Sequence, residues 1–254
     1  LRGKTLGIVG LGAIGSMVAD MALAMGMTVV GFDPVLSIDA AWRLSNEVGR
    51  MENLQSLLAR SDYVSLHVPA VDTTRHMIND DTLAVIKAGA VLLNFARDAI
   101  VDAKAVLRSL ESGRLGRYVC DFPEPELLGN PKIIAMPHIG ASTEESEENC
   151  AVMAANQLVD YLENGNITNS VNYPKIALER SPGTVRITFA NENVPGVLGQ
   201  VLSILANHKV NVVDMVNKSR GELAFNLMDV DSQPDAAVID ALRGVAHVIR
   251  VRVI

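Results

Sequence analysis

The sequence predicts an α/β protein in two parts: a doubly wound parallel sheet, then a smaller domain of different order. Three observations carry that reading. An apolar strand over residues 5–9 runs into Gly10-Leu11-Gly12-Ala13-Ile14-Gly15 and a helix, and a second apolar strand ends on Asp33. Strand and helix signals then alternate to about residue 140, as in successive βαβ units. Beyond a polar stretch at 166–183 containing Pro174, Pro182 and Gly183, the order becomes βαββαβ, a ferredoxin-like pattern.

Each part of the opening motif has a physical task. Gly10 permits a tight turn, Gly12 lets backbone approach a pyrophosphate, and Gly15 lets the helix lie close to the strand. The helix N-terminus offers free N–H groups and the positive end of a dipole to phosphates. Asp33 accepts hydrogen bonds from the two ribose hydroxyls, and its charge repels a 2′-phosphate. The expectation is a Rossmann-type site for NAD in preference to NADP.

Further strands are predicted over 28–32, 48–51 (weak), 63–68, 90–95, 117–120 and 132–135. The runs Val64-Ser65-Leu66-His67-Val68 and Ala90-Val91-Leu92-Leu93 suit strands buried on both faces. Helices are predicted over 14–25, 54–59, 81–86 and 103–111, with Gly26, Gly89 and Gly113 as C-terminal stops. A longer helix opens at the capping box Ser142-Thr143-Glu144-Glu145 and ends at Asn164-Gly165. Its apolar stripe is Cys150, Met153, Ala154, Leu158, Tyr161 and Leu162. The expected division is 1–165 for the nucleotide-binding domain with its trailing helix, 166–183 for a linker, and 184–254 for the tail. In the tail, a strand over 184–190 precedes Pro195-Gly196 and a helix to about His208. Strands over 211–218 and 222–230 flank the turn Ser219-Arg220-Gly221, and a helix over 234–242 and a strand over 248–254 complete it. The chain enters its first core strand by residue 6, which leads us to expect that a preceding segment is missing.

Composition narrows the functional classes. Hydrophobic residues make up 49% and aromatics 4%, so the core must be aliphatic. A net charge of −7 argues against nucleic acid or an anionic membrane as partner. Cys120 and Cys150 lack metal-ligand spacing and read as buried thiols in a reducing, cytoplasmic setting, with no metal expected.

Three polar residues follow strands at the sheet edge where such folds hold ligands: Arg97, Glu124 and His138. Together they suit hydride chemistry on a 2-hydroxy acid. The arginine binds the carboxylate, the histidine takes the hydroxyl proton, and the acid orients the histidine. Spacing alone leaves each open to an ordinary structural role.

Three segments change that balance: Asn94-Phe95-Ala96-Arg97-Asp98-Ala99-Ile100-Val101-Asp102, Asp121-Phe122-Pro123-Glu124-Pro125 and Pro137-His138-Ile139-Gly140-Ala141-Ser142-Thr143. They resemble the signature segments of the NAD-dependent D-isomer-specific 2-hydroxyacid dehydrogenases, and the opening residues 1–8 are similar to that family's entry into its nucleotide-binding domain. The resemblance implies Arg97 as carboxylate binder, His138 as acid/base and Glu124 as its partner. It also implies cofactor contacts from Gly10, Gly12, Ala13, Ile14, Gly15, Asp33, Val68, Pro69, Thr74, Phe95, Ala96, Arg97, Asp121, His138 and Gly140. The chain departs from the family in the shortened loop after Asp121, which leaves Glu126 or Asp121 as alternative partners of His138. Ala13 stands where the family often has an arginine, and Asp98 where glycine is common. His67 and His76 are expected to be structural.

The tail segment 191–198, Asn-Glu-Asn-Val-Pro-Gly-Val-Leu, resembles the effector loop of ACT domains, which implies Asn191, Asn193 and Asn211 as ligand contacts. The family's familiar histidine is replaced there by Asn191. Together with the tail, the resemblance implies oxidation of D-3-phosphoglycerate to 3-phosphohydroxypyruvate, the first step of serine biosynthesis, by a homodimer or homotetramer with L-serine as effector. Another D-2-hydroxyacid substrate, or a non-catalytic NAD-sensing role, remains as an alternative. The basic residues for a substrate phosphate are expected in the missing segment, so these 254 residues alone are expected to bind NAD and turn over poorly.

Overall fold

The computed structural model describes residues 1–254, apart from the side chain of Asp39, and divides into two compact units, Leu1–Gly140 and Ala141–Ile254. Unit one runs β1 (Thr5–Val9), α1 (Ala13–Ala24), β2 (Thr28–Phe32), α2 (Ile38–Ala41), β3 (Gly49–Arg50), α3 (Leu54–Arg60) and β4 (Tyr63–Leu66). It continues through α4 (Asp80–Ala84), β5 (Ala90–Asn94), α5 (Ala103–Glu111), β6 (Leu115–Cys120) and β7 (Ile133–Ala135). The strands form one parallel sheet in the order β3-β2-β1-β4-β5-β6-β7. The order reverses between β1 and β4, the switch point at which open α/β sheets hold ligands. The central strands are buried on both faces through Ile8, Val64, Leu66 and Leu92.

Register matters more than strand length here. Val9 pairs with Phe32 and Leu66, Leu66 with Asn94, Asn94 with Cys120, and Cys120 with Ala135. One row of paired residues therefore ends six strands together, and the next residues of each chain segment emerge along a single edge. Helix starts are set locally. Asn53 caps α3, Asn79 and Thr82 form a reciprocal box on α4, and Asp102 caps α5. Helix α1 differs, with no side-chain cap and no acid in its first turn.

Unit two contains α6 (Glu144–Asn164), β8 (Val185–Glu192), α7 (Val197–Asn207), β9 (Val212–Arg220), β10 (Leu223–Val230), α8 (Ala236–Arg243) and β11 (Val248–Val253). Its sheet is antiparallel in the order β11-β8-β10-β9, the ferredoxin-like arrangement. Helices α7 and α8 bury Val201, Leu205, Val238 and Leu242 against Ile187, Phe189, Met228 and Val230. The other face carries Ala190, Phe225 and Leu227, which meet Ile167, Ile176 and Tyr161.

Several expectations shift. The contact boundary falls at 140/141, so α6 groups with the residues that follow it rather than with a unit of 1–165. Residues 166–183 are not a free tether: Ile167 and Ile176 pair as an antiparallel bridge, and both are buried. The cap of α6 is Thr143, whose hydroxyl accepts from the Ser146 N–H, one residue later than the expected box. Cys150 is exposed, not buried, and Met153, Leu158 and Leu162 of the expected stripe are exposed with it. Helical spacing shows that residues share a side of a helix, not that anything covers that side. Among the described residues, no helix is long and apolar enough to cross a membrane.

A buried ion pair ties the 164–179 segment to the sheet. Arg186 and Asp229 are both fully buried, with Nε to Oδ1 at 2.7 Å. All five N–H donors of Arg186 are used: two go to Asp229, and three to the carbonyls of Asn164, Leu178 and Glu179. Burial opposes ionisation of Asp229, but hydrogen bonds from Arg186 and the Ser181 N–H outweigh it and hold the carboxyl below its ordinary value. Arg186→Met strands a buried carboxylate and three carbonyls, and should destabilise unit two by about 3–5 kcal/mol in urea unfolding. A lowered carboxyl contributes stability above its unfolded pKa and loses it as pH falls. The gap between wild type and R186M should therefore narrow below about pH 4. A loss under about 1 kcal/mol at neutral pH would contradict this account.

Candidate active site

The turn after β1 is built for close approach. Gly10 sits at φ +91°, and a Cβ there would lie 2.6 Å from the His67 carbonyl oxygen. A Cβ on Gly15 would strike the Gly10 carbonyl oxygen, so α1 packs directly on the turn. Gly12 faces open space instead. The uncapped N–H groups of α1 and the positive end of its dipole thus face a cradle with room for an anion. Asp33 braces this cradle: Oδ2 accepts from the Leu11 N–H at 2.9 Å and Oδ1 from the Val35 N–H at 3.0 Å. Each carboxylate oxygen keeps a further lone pair for a ribose hydroxyl. These residues fit an adenine dinucleotide.

Next along the edge, Val68 packs on the core and Pro69 is exposed. Thr74 folds the loop behind them, its hydroxyl lying 2.6 Å from the Pro69 carbonyl and accepting from the Val71 N–H at 3.0 Å. That hydroxyl is engaged within the loop, so its contribution is to shape. His67 Nε2 lies 2.8 Å from the Ser65 hydroxyl, and burial lowers the His67 pKa, so the ring stays neutral.

Beyond β5, Asn94 organises the 94–97 turn from a buried position. Its amide donates to the Arg97 carbonyl at 2.9 Å and to the Tyr118 hydroxyl at 3.3 Å, and its oxygen accepts from the Ala96 N–H at 3.1 Å. Burial pushes the Tyr118 phenol well above its usual range, which keeps it neutral. Phe95 and Arg97 are exposed at the edge.

The imidazole of His138 follows β7. Its Nδ1 lies 2.7 Å from Asp121 Oδ2. The His138 side chain is 45% exposed and that of Asp121 only 12%, so the ring is accessible while its partner is held inside. Phe122 stacks on the ring at 4.1 Å, and the Arg97 guanidinium lies 5.5 Å from the other ring centroid, that of Phe122. Arg97, Phe122 and His138 therefore form one row. Asp121 Oδ1 is buried with no hydrogen-bond partner among the described residues.

Glu124 is placed differently from its expected role. It has no hydrogen bond to His138; burial, then the charges of Glu126 and Asp98, push its carboxyl above the ordinary value. The neighbouring histidine acting on it is His76. The shortened loop brings Asp121 to the imidazole and turns Glu124 elsewhere, so of the alternatives left open it is Asp121 that pairs. Phe122 and Tyr118 are site residues that the sequence does not mark. Phe122 lies inside a quoted signature segment, but only the folded loop reveals its stacking. Gly140 is exposed.

In unit two, Asn191 is buried and bonded internally. Its Oδ1 accepts from Asn226 at 2.8 Å, and Asn226 in turn accepts from Asn217 at 2.7 Å, a ladder across three strands. Asn193 donates to the Gly221 carbonyl at the β9–β10 turn. Asn211 pairs through its backbone with Asp231, at the opposite end of the sheet. One chain therefore does not bring Asn193 and Asn211 together.

Comparison with known proteins agrees with this architecture. The family described as D-isomer specific 2-hydroxyacid dehydrogenase, NAD binding domain, matches residues 1–140, and an ACT domain matches residues 185–247. D-3-phosphoglycerate dehydrogenase 1 of Saccharomyces cerevisiae is 34% identical over 94% of this chain and 55% of its own length. D-3-phosphoglycerate dehydrogenase of Haemophilus influenzae is 33% identical over all of this chain and 63% of its own length. D-lactate dehydrogenase from Aquifex aeolicus, solved with NAD and lactic acid, is 31% identical with a TM-score of 0.53 over 63% of this chain and 54% of that one. This chain thus spans little more than half the length of such relatives. It belongs to the D-isomer specific 2-hydroxyacid dehydrogenase family, with an NAD-binding domain over residues 1–140 and an ACT domain behind it.

Proposed function

We propose that the protein of which this chain is part oxidises D-3-phosphoglycerate to 3-phosphohydroxypyruvate. The observation that carries the chemistry is the 2.7 Å pairing of His138 Nδ1 with Asp121, in one row with Arg97. The substrate reading rests on the relatives named for that activity. NAD, when bound, would supply the acceptor for the hydride leaving C2 of the hydroxy acid. An ionised carboxylate only accepts hydrogen bonds, so Asp121 keeps the proton on Nδ1 and leaves Nε2 as the base for the substrate hydroxyl. Arg97 binds the substrate carboxylate and draws charge toward the reacting carbon. Phe122 covers one face of the imidazole and limits its rotation.

For the cofactor, Gly10, Gly12, Ala13, Ile14 and Gly15 supply backbone for the pyrophosphate, and Asp33 takes the adenosine ribose. Val68, Pro69, Phe95 and Ala96 would line its rings, with Gly140 toward the nicotinamide. The unpartnered Asp121 Oδ1 is the acceptor left for the carboxamide amine. Asn193 and Asn211 lie at opposite ends of one sheet, so an L-serine site made from them takes Asn193 from one copy and Asn211 from another, which suits a homodimer or homotetramer. Two free thiols, Cys120 and Cys150, suit the cytoplasm.

In the full-length protein, His138→Gln should abolish turnover of 3-phosphoglycerate while NAD titration is unchanged; retained turnover would sink the reading. A panel of D-2-hydroxyacids on the same protein separates the phosphorylated substrate from its analogues. Asp33→Ala removes a charged acceptor of the ribose and should weaken NADH binding about tenfold or more. The same change should narrow the preference for NADH over NADPH. Fluorescence titration with both coenzymes reads the two effects, and unchanged affinity and selectivity would remove Asp33 from the site.

A further inference from the structure

The face of the unit-two sheet turned away from α7 and α8 is only partly covered. The 164–179 segment closes the part over Arg186, and beside it lies a cavity of about 550 Å³. Its floor is β8, β10 and β11, and its walls are the C-terminal half of α6 and residues 166–173. Three aromatic rings define its interior. Phe225 meets Tyr161 at 6.4 Å and Tyr173 edge-on at 5.7 Å. Ile249 and Leu158 extend the apolar lining. That volume lies in the range of about 300–1,000 Å³ typical of small-molecule sites.

Two cations border this apolar space, and they differ. Arg252 is engaged: it donates to the carbonyls of Tyr161 and Leu162 at 3.2 and 3.0 Å and lies 4.7 Å from the Tyr161 ring centroid, which fixes the wall. Arg250, two residues earlier on the same face, is exposed, and its guanidinium has no hydrogen bond or ion pair among the described residues. Arg243, Arg250 and Arg252 also line an adjoining polar concavity of about 480 Å³, so the mouth is cationic although the whole chain carries −7. A free guanidinium beside an aromatic cavity selects an anion with an apolar body. A small polar zwitterion would leave the rings unused, and a bare phosphate would stay outside them.

We propose that this cavity binds a monocarboxylate bearing an aryl or branched alkyl group, with the carboxylate on Arg250 and the apolar group against Phe225, Tyr161 and Tyr173. The site is separate from Asn191, which is buried and bonded within the sheet, and from Asn193 and Asn211. It does not depend on the reaction proposed for unit one.

Calorimetric titration of the 254-residue chain with phenylacetate, its neutral isostere phenylacetamide, and acetate tests the assignment. Phenylacetate should bind saturably at one site per chain, with acetate showing no saturable binding. Arg250→Gln should weaken phenylacetate about tenfold and leave phenylacetamide unchanged. Leu158→Trp, which fills the cavity from exposed helix surface, should weaken both aryl ligands. Unchanged NAD binding and an unchanged urea midpoint in the two variants establish that they are folded. The proposal is overturned if phenylacetate shows no saturable binding in the millimolar range, if the amide binds as tightly as the acid, or if R250Q binds the acid as wild type does.

Discussion

Everything chemical in unit one depends on the common end of its parallel strands. Phe32, Val9, Leu66, Asn94, Cys120 and Ala135 are linked through successive strand pairings in one row. The residues one to three places later therefore share an edge: Asp33, Gly10, Val68, Arg97, Asp121 and His138. Because successive side chains of a strand point to opposite faces, a slip of one residue in any strand would reverse its side chains and misplace whatever follows. The buried aliphatic side chains of β1, β4 and β5 make such a slip costly, since it would exchange their packing partners. Core packing and site geometry are thus one constraint.

Unit two uses the two faces of its sheet differently. One face is closed by α7 and α8 over an apolar core that includes Phe189, with an asparagine ladder in the same layer. The other is assembled from chain that precedes the sheet, fastened by Arg186 and Arg252 to the carbonyls of α6 and the 178–179 stretch. Arginine suits that task because one guanidinium can satisfy several carbonyls that would otherwise lie buried and unbonded. Fastening leaves gaps where a packed helix would not, and the aromatic cavity is such a gap.

What could be read in the sequence was what neighbouring residues decide. The glycine turn, the acid ending β2, the glycine stops at Gly26 and Gly113 and the alternation of strands and helices are local, and the doubly wound parallel sheet followed from them. What could not be read was decided at a distance. Asp121 and Glu124 lie three residues apart, and only the path of the loop determines which reaches His138. Arg186 and Asp229 lie 43 residues apart, and nothing near either predicts that both are buried. Cys150 sits on an apolar stripe whose covering cannot be inferred from spacing.

The central claim is that the strand-end row holds an adenine dinucleotide with its reactive ring toward His138. The most direct test is a crystal structure of this chain with NAD. The account predicts the pyrophosphate on the first amides of α1 beside Gly12, the adenosine ribose on Asp33, and the carboxamide amine within about 3 Å of Asp121 Oδ1. A coenzyme lodged away from that row, or density on α1 with the nicotinamide turned from His138, would contradict it.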